Sequence, residues 1–402
     1  MTTDHATADE FRALAAQPAR EVHVDPATAE LTPWLRVGDP LAEAAWQAVR
    51  RAGHRGDALL AVRAMAADGD PACRALLLDV ETVPSWADFD AMRPGAAFGS
   101  RNPHGFLVGL LGSLVMTYTN AEVAAVLCRG DSLRRLLRRR LFESMTLFAS
   151  ALDVDSMRPG GSGWERVVRV RLMHTAVRIG IQRSNAHNSA VPTNSAVPTD
   201  SAVPTDSPVP INALETAGGT FLFGAIRLRA IAAAGGRPDP DEARSHYLMW
   251  RYITRLIGAP PELTCSTNAD QRVLDARLAQ GMYSPTGDSV TLTKALVEGL
   301  PDLEIGPPVP PGFFAALLRG LLSRDLVPEI DADIPDDLGL PRATIPALAV
   351  RGATAIARLA DPVLRSAPLR ARAERAGGTW ITNTIDRGLA GRPARYQATD
   401  ST

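Results

Sequence analysis

Lysine is all but missing from this 402-residue chain: of 43 basic residues only Lys294 is a lysine, and the other 42 are arginine. Codon bias is the plain reading, but any mechanism that needs a lysine is confined to that one position. Cysteine is scarce too. Cys73, Cys128 and Cys265 are odd in number and far apart, which excludes a disulfide scaffold and a thiolate zinc site. There is no excess of one charge: 43 basic against 44 acidic residues leave a net charge of −1 and no basic field for a nucleic acid. Aromatics are 5% of the chain against 46% hydrophobic residues, so the core is built from Ala, Leu, Val and Ile, which suit helix faces. The longest apolar run, Gly105 to Met116, falls far short of the ~20 residues that span a bilayer. The opening MTTDHATADEFRALAAQPAR lacks the order of a signal peptide, so a cytoplasmic location is expected. HExxH, CxxC, GxSxG, a P-loop and a GxGxxG after a strand are all absent.

What is present is helical periodicity. LAEAAWQAVRRAG, GDALLAVRAMAADGD and PACRALLLDVE repeat apolar residues at three- and four-residue spacing. Gly and Pro cluster between such segments, as in RPGAAFGSRNPHG and IGPPVPPG. Only VTLTKALVEG reads as if it began extended before turning helical. The expectation is one all-α domain over residues 40–390, with a flexible arm at 1–35 and a flexible tail at 391–402. Residues 188–210 form a six-residue repeat, NSAVPT, NSAVPT, DSAVPT, DSPVP, whose prolines forbid a helix. It reads as a surface insertion grown by repeat expansion, or else as a wall over a site.

Two constellations carry chemistry. Ser162 and Glu165 form an S-x-x-E capping box before WERVVRVRLMHTAVRIGIQ. On that helix His174 lies among Val167, Val170, Arg171, Val177, Arg178 and Ile181, one imidazole in an aliphatic stripe with an arginine a turn to either side. Such a histidine suits the axial ligand of a haem, and the arginines suit its propionates. A lone histidine on an apolar face is, however, more often a satisfied core residue. Upstream, Asp131 or Ser132 can cap LRRLLRRRLFESMTLFASAL, on which Arg140, Glu143, Ser144 and Leu147 share one face. An arginine, a carboxylate and a hydroxyl there could line a pocket beside a bound oxidant; the plain alternative is a solvated Arg–Glu pair. The RRLLRRR run has no interleaved aromatics to bind a nucleic acid.

The order of VPSWADFDAMRPGAAF, RLFESMTLF, VRLMHTAVR, PINALETAGGTFLF and HYLMWRYITRLIG resembles the rubber oxygenase catalytic domain family, over roughly residues 80–290. That family includes latex clearing protein and the MpaB-type oxygenase of mycophenolic acid biosynthesis. The resemblance implies a globin-like haem-binding helical core with additional helices. His174, in V-R-x-x-H-x-x-V-R, matches the proximal ligand of a haem b, with Arg171 and Arg178 associated with haem binding. The family's distal R-x-x-K-T pattern falls on Arg140, Glu143 and Ser144, so its lysine has become a glutamate. Glu143 would then handle protons, Arg140 would orient oxidant or substrate, and Ser144 would donate a hydrogen bond. The implied activity is a haem-dependent oxygenase that takes dioxygen or peroxide, an electron donor, and a small apolar, isoprenoid-like or specialised-metabolite substrate. The lost lysine and the absent secretion signal argue against cleavage of rubber itself. Other readings are a haem sensor or carrier without turnover, a peroxidase-like or dehydrogenating enzyme, and a cofactor-free scaffold with His174 in its core.

Overall fold

The computed structural model describes residues 25–128, 133–190, 208–303, 309, 312–342, 344–364 and 366–396. The arm up to residue 24, Asp131 and Ser132, most of the hexapeptide repeat, and the tail from residue 397 lie outside the described residues. Among the described residues there is no strand, and the fold is all-α. In chain order the helices are α1 Pro40–Arg51, α2 Ala58–Ala67, α3 Pro71–Glu81, α4 Phe89–Arg101, α5 Pro103–Thr117 and α6 Ala121–Cys128. Then come α7 Leu133–Ser150, α8 Ser162–Ala190, α9 Ala213–Ala217, a π-helical turn at Thr220–Ile226, α10 Arg227–Ala233 and α11 Pro240–Leu256. The rest are α12 Asn268–Met282, α13 Gly287–Gly299, α14 Phe313–Leu321, α15 Ile334–Asp337, α16 Thr344–Leu364 and α17 Ala367–Gly388.

Local sequence sets many of these starts. Asp39, Asp70 and Asp239 each precede a proline at the first helical position and accept a backbone N–H from the first turn of α1, α3 and α11. The carboxylate satisfies an otherwise orphaned donor, and the proline gives up an N–H that has no partner there. Two expectations fail at this level. Residues 287–299 are helical throughout, because Thr286 and Ser289 cap α13 and no strand among the described residues is there to pair with VTLT. The capping box at Ser162 is not formed. Glu165 instead spends its carboxylate on Arg63 (2.6 Å) and Arg169 (3.0 Å), and its N–H bonds the carbonyl of Gly161. α8 also runs on to Ala190, taking the first three residues of the repeat into its last turn.

The core is one large cluster in which Trp164, Trp250, Phe106, Phe142, Phe148 and Phe221 supply the bulk among Ala, Leu and Val. A smaller cluster of Leu214, Ala217, Leu263, Leu274 and Leu278 is covered by Leu31, Trp34 and Leu35. The end of the expected N-terminal arm is thereby tied down, and Arg277 holds the carbonyls of Pro26 and Ala29 at 2.9 Å. α4 crosses α11 tightly at Gly95. Pro94 removes one donor from α4, and the N–H of Gly95 leaves the ladder to donate to Ser245 Oγ at 2.7 Å. A Cβ at Gly95 would strike the backbone of His246. Packing of α8 against α1, α7 and α11 places His174 inside the bundle.

Candidate active site

His174 sits midway along α8, and the two arginines around it fix that helix. Arg171 donates through Nε (2.6 Å) and Nη2 (3.0 Å) to Asp39, and through Nη1 to Asp79 at 2.6 Å. Asp79 also pairs with Arg255 of α11. Its carboxyl is desolvated, yet the charges of Arg171 and Arg255 hold it well below the usual range. Arg178 donates to Glu43 at 2.9 Å and to the carbonyls of Pro210 and Ile211. α8 is therefore bolted to α1, α3 and the strand of chain entering α9, with both guanidinium groups buried.

The imidazole between them is held differently. His174 has no hydrogen-bond partner among the described residues. Burial pushes its pKa down to about 4, with Arg178 acting the same way and Asp39 partly opposing. The residue nonetheless keeps accessible surface. At neutral pH it is uncharged, with a ring nitrogen lone pair free, which is the donor a haem iron takes. Two other histidines are engaged: buried His246 contacts the carbonyl of Phe223 through Nε2 at 3.2 Å, and exposed His104 lies edge-on against Trp380. No three histidine, cysteine or carboxylate side chains converge among the described residues, and Cys73, Cys128 and Cys265 are free thiols.

On α7, Arg140 is exposed and Ser144 half-buried. Arg140 lies close enough to Tyr118, the residue that ends α5, for its charge to oppose the burial that drives the phenol upward. Glu143 is engaged elsewhere. Its carboxylate accepts from Arg139 Nε at 2.9 Å and from the N–H of Arg395 at 3.1 Å, while Tyr396 donates to its carbonyl. Arg351 and Arg358 lie on α16, which packs on α14 and α17.

The structure adds a carboxyl that the sequence reading missed. Glu215 closes a capping box with Asn212 through its own N–H and through Oε2, leaving Oε1 buried without a partner among the described residues. Burial raises its pKa to about 7; Glu122 adds to this, while the Asn212 amide and Arg178 oppose it. Arg178 thus acts on both His174 and Glu215. The N-x-x-E spacing in PINALE signals a cap; nothing in it signals the burial of the second oxygen. The π-helical turn follows at once, with Thr220 Oγ1 buried and unpartnered. Such turns recur at functional sites.

The helical order and the buried imidazole on α8 can be set against known proteins. The sequence model of "ER-bound oxygenase mpaB/B'/Rubber oxygenase, catalytic domain" matches residues 96–359, well over half of the chain. The chain belongs to this oxygenase family. The match starts inside α4 and reaches α16, some way past the residue-290 limit read from the sequence. A solved structure of latex clearing protein in its closed state is similar in fold, with a TM-score of 0.56 at 20% identity. The alignment covers 90% of this chain and 92% of that one. No curated protein matches the chain. As a member of the family, the chain is an oxygenase with an all-α architecture.

Proposed function

We propose that this oxygenase is haem b-dependent, with His174 as the iron ligand and a small apolar molecule as substrate. The observation that carries the reading is His174 itself: neutral, desolvated, unpartnered, and standing in the V-R-x-x-H-x-x-V-R pattern on a helix fixed by two buried ion-pair clusters. When bound, the haem would supply the redox chemistry that lets dioxygen or peroxide react with substrate, electrons coming from a separate donor. The residues supply the rest. Arg171 and Arg178 keep α8 in register, so that the imidazole stands at a fixed height and tilt. Arg140 and Ser144 present a cation and a hydroxyl from α7, suited to orient a polar oxidant or a substrate oxygen. Glu215, poised near neutral pH, is suited to exchange a proton at Oε1. The carboxylate of Glu143 is already committed to Arg139 and the amide of Arg395.

The test is the absorption spectrum of the purified protein, with haem supplied during expression, beside that of His174→Ala. The parent is expected to show a Soret band and the folded variant to lose it; full haem retention by the variant refutes the assignment. Paired turnover measurements on Glu215→Gln and Glu143→Gln apportion the proton role, with the larger loss and the altered pH profile expected for Glu215.

A further inference from the structure

The face of α16 that points away from the protein is apolar. Ile345, Ile356 and Leu359 are 79%, 71% and 78% exposed, and Leu348 and Val363 are more than half exposed. With Ala349, Gly352 and Ala360 they form a band along the whole helix. The opposite face, Val350, Thr354, Ala357 and Asp361, is the one that meets the fold. An apolar helix face is ordinarily covered, and an exposed apolar band of this extent marks an interaction surface.

The surrounding charge selects the occupant. Arg351 and Arg358, seven residues apart, line one edge of the band, and both are exposed. From Thr344 to Ala376 the sequence has six arginines against two acidic residues, Asp361 and Glu374. Asp361 is buried beneath α16, and Glu374 is paired with Arg370 at 3.0 Å. No carboxylate is therefore left free along the band. A second copy of this face would set arginine against arginine, whereas an anionic lipid surface offers hydrocarbon for the band and phosphate for its basic edge. Beside the helix lies a groove of about 550 Å³ between α14 and α16, lined by Ala233, Leu317, Leu321 and Val350 with Arg351 and Arg358 at its rim.

We propose that α16 is an interfacial helix that seats the protein on anionic lipid, lying flat with its apolar band among the acyl chains and Arg351 and Arg358 at the headgroups. It does not cross the bilayer: no single helix among the described residues is long and apolar enough to do so. The surface stands apart from His174 and needs no haem.

Flotation of the full-length protein with vesicles tests this. One set is phosphatidylcholine alone, the other phosphatidylcholine and phosphatidylglycerol in equal parts. Binding is expected to the anionic set, to weaken in high salt, and to fall about fivefold with each of Arg351→Gln and Arg358→Gln. Leu348→Asp combined with Ile356→Asp, both at exposed sites, is expected to abolish flotation while helix content by circular dichroism is unchanged. Failure of the parent to float overturns the proposal. So does equal binding of the Asp variant, or a dimer in sedimentation that the Asp variant dissolves, which would assign the band to a second copy.

Discussion

Arg171 commits Nε and both terminal nitrogens to two aspartates that lie more than 90 positions away in the chain. Arg101 meets Glu242 with both side chains buried, and Arg227 is enclosed by the rings of Phe106, Phe148 and Trp250 at 4.3–5.3 Å with no carboxylate partner among the described residues. Burial lowers the pKa of Arg227 to about 9. The planar, weakly hydrated guanidinium tolerates such places better than an ammonium does, so the near-absence of lysine acquires a structural meaning in the interior. The only lysine, Lys294, is exposed. Removing a shared partner should be costly. Asp79→Ala strands Arg255 and leaves Arg171 with Asp39 alone, and a loss of about 3–5 kcal/mol is expected in chemical denaturation. Glu215 gives a signed pH dependence. Its folded pKa of about 7 stands above the ordinary glutamate value of 4.5, so its contribution is complete below about 4.5 and is lost as pH rises through 7. Glu215→Gln should flatten the decline in stability across that window in melts at stepped pH. His174 runs the other way: its folded pKa of about 4 lies below 6.5, so its contribution is present above 6.5 and lost on acidification through 4.

At the scale of elements, the helices were legible wherever the signal was local. Asp-Pro pairs at residues 39, 70 and 239 start helices because cap and first turn are neighbours in sequence. The S-x-x-E at 162 failed as a box because Arg63, from α2, competes for Glu165, and no window of the sequence contains both. The same holds for Glu143, whose partners Arg395 and Tyr396 come from the far end of the chain. Helix crossings are set by small residues whose partners only the fold reveals: Gly95 meets α11, and Gly377 of α17 lies against the carbonyl of Ser100 on α4. Gly95→Ala should cost about 1–3 kcal/mol, read as a lower denaturation midpoint, because the atoms in its way are backbone and cannot rotate aside.

For the molecule as a whole, a bound haem is expected to act as a ligand of the native state alone. Haem at a hundredfold excess over its Kd should stabilise the parent by about 2.7 kcal/mol. His174→Ala should show a much smaller rise in melting temperature on haem addition, and an equal rise in the two proteins would place the haem elsewhere. The amino-acid sequence by itself determined the all-α class, most helix starts and the motif that singles out His174, since these depend on spacing along one chain segment. Tertiary structure alone decided which carboxylates the buried arginines hold, that Glu215 carries a raised pKa, and that one face of α16 is left bare. Burial and charge pairing are made by residues far apart in sequence, and their energies exist only once the helices are packed.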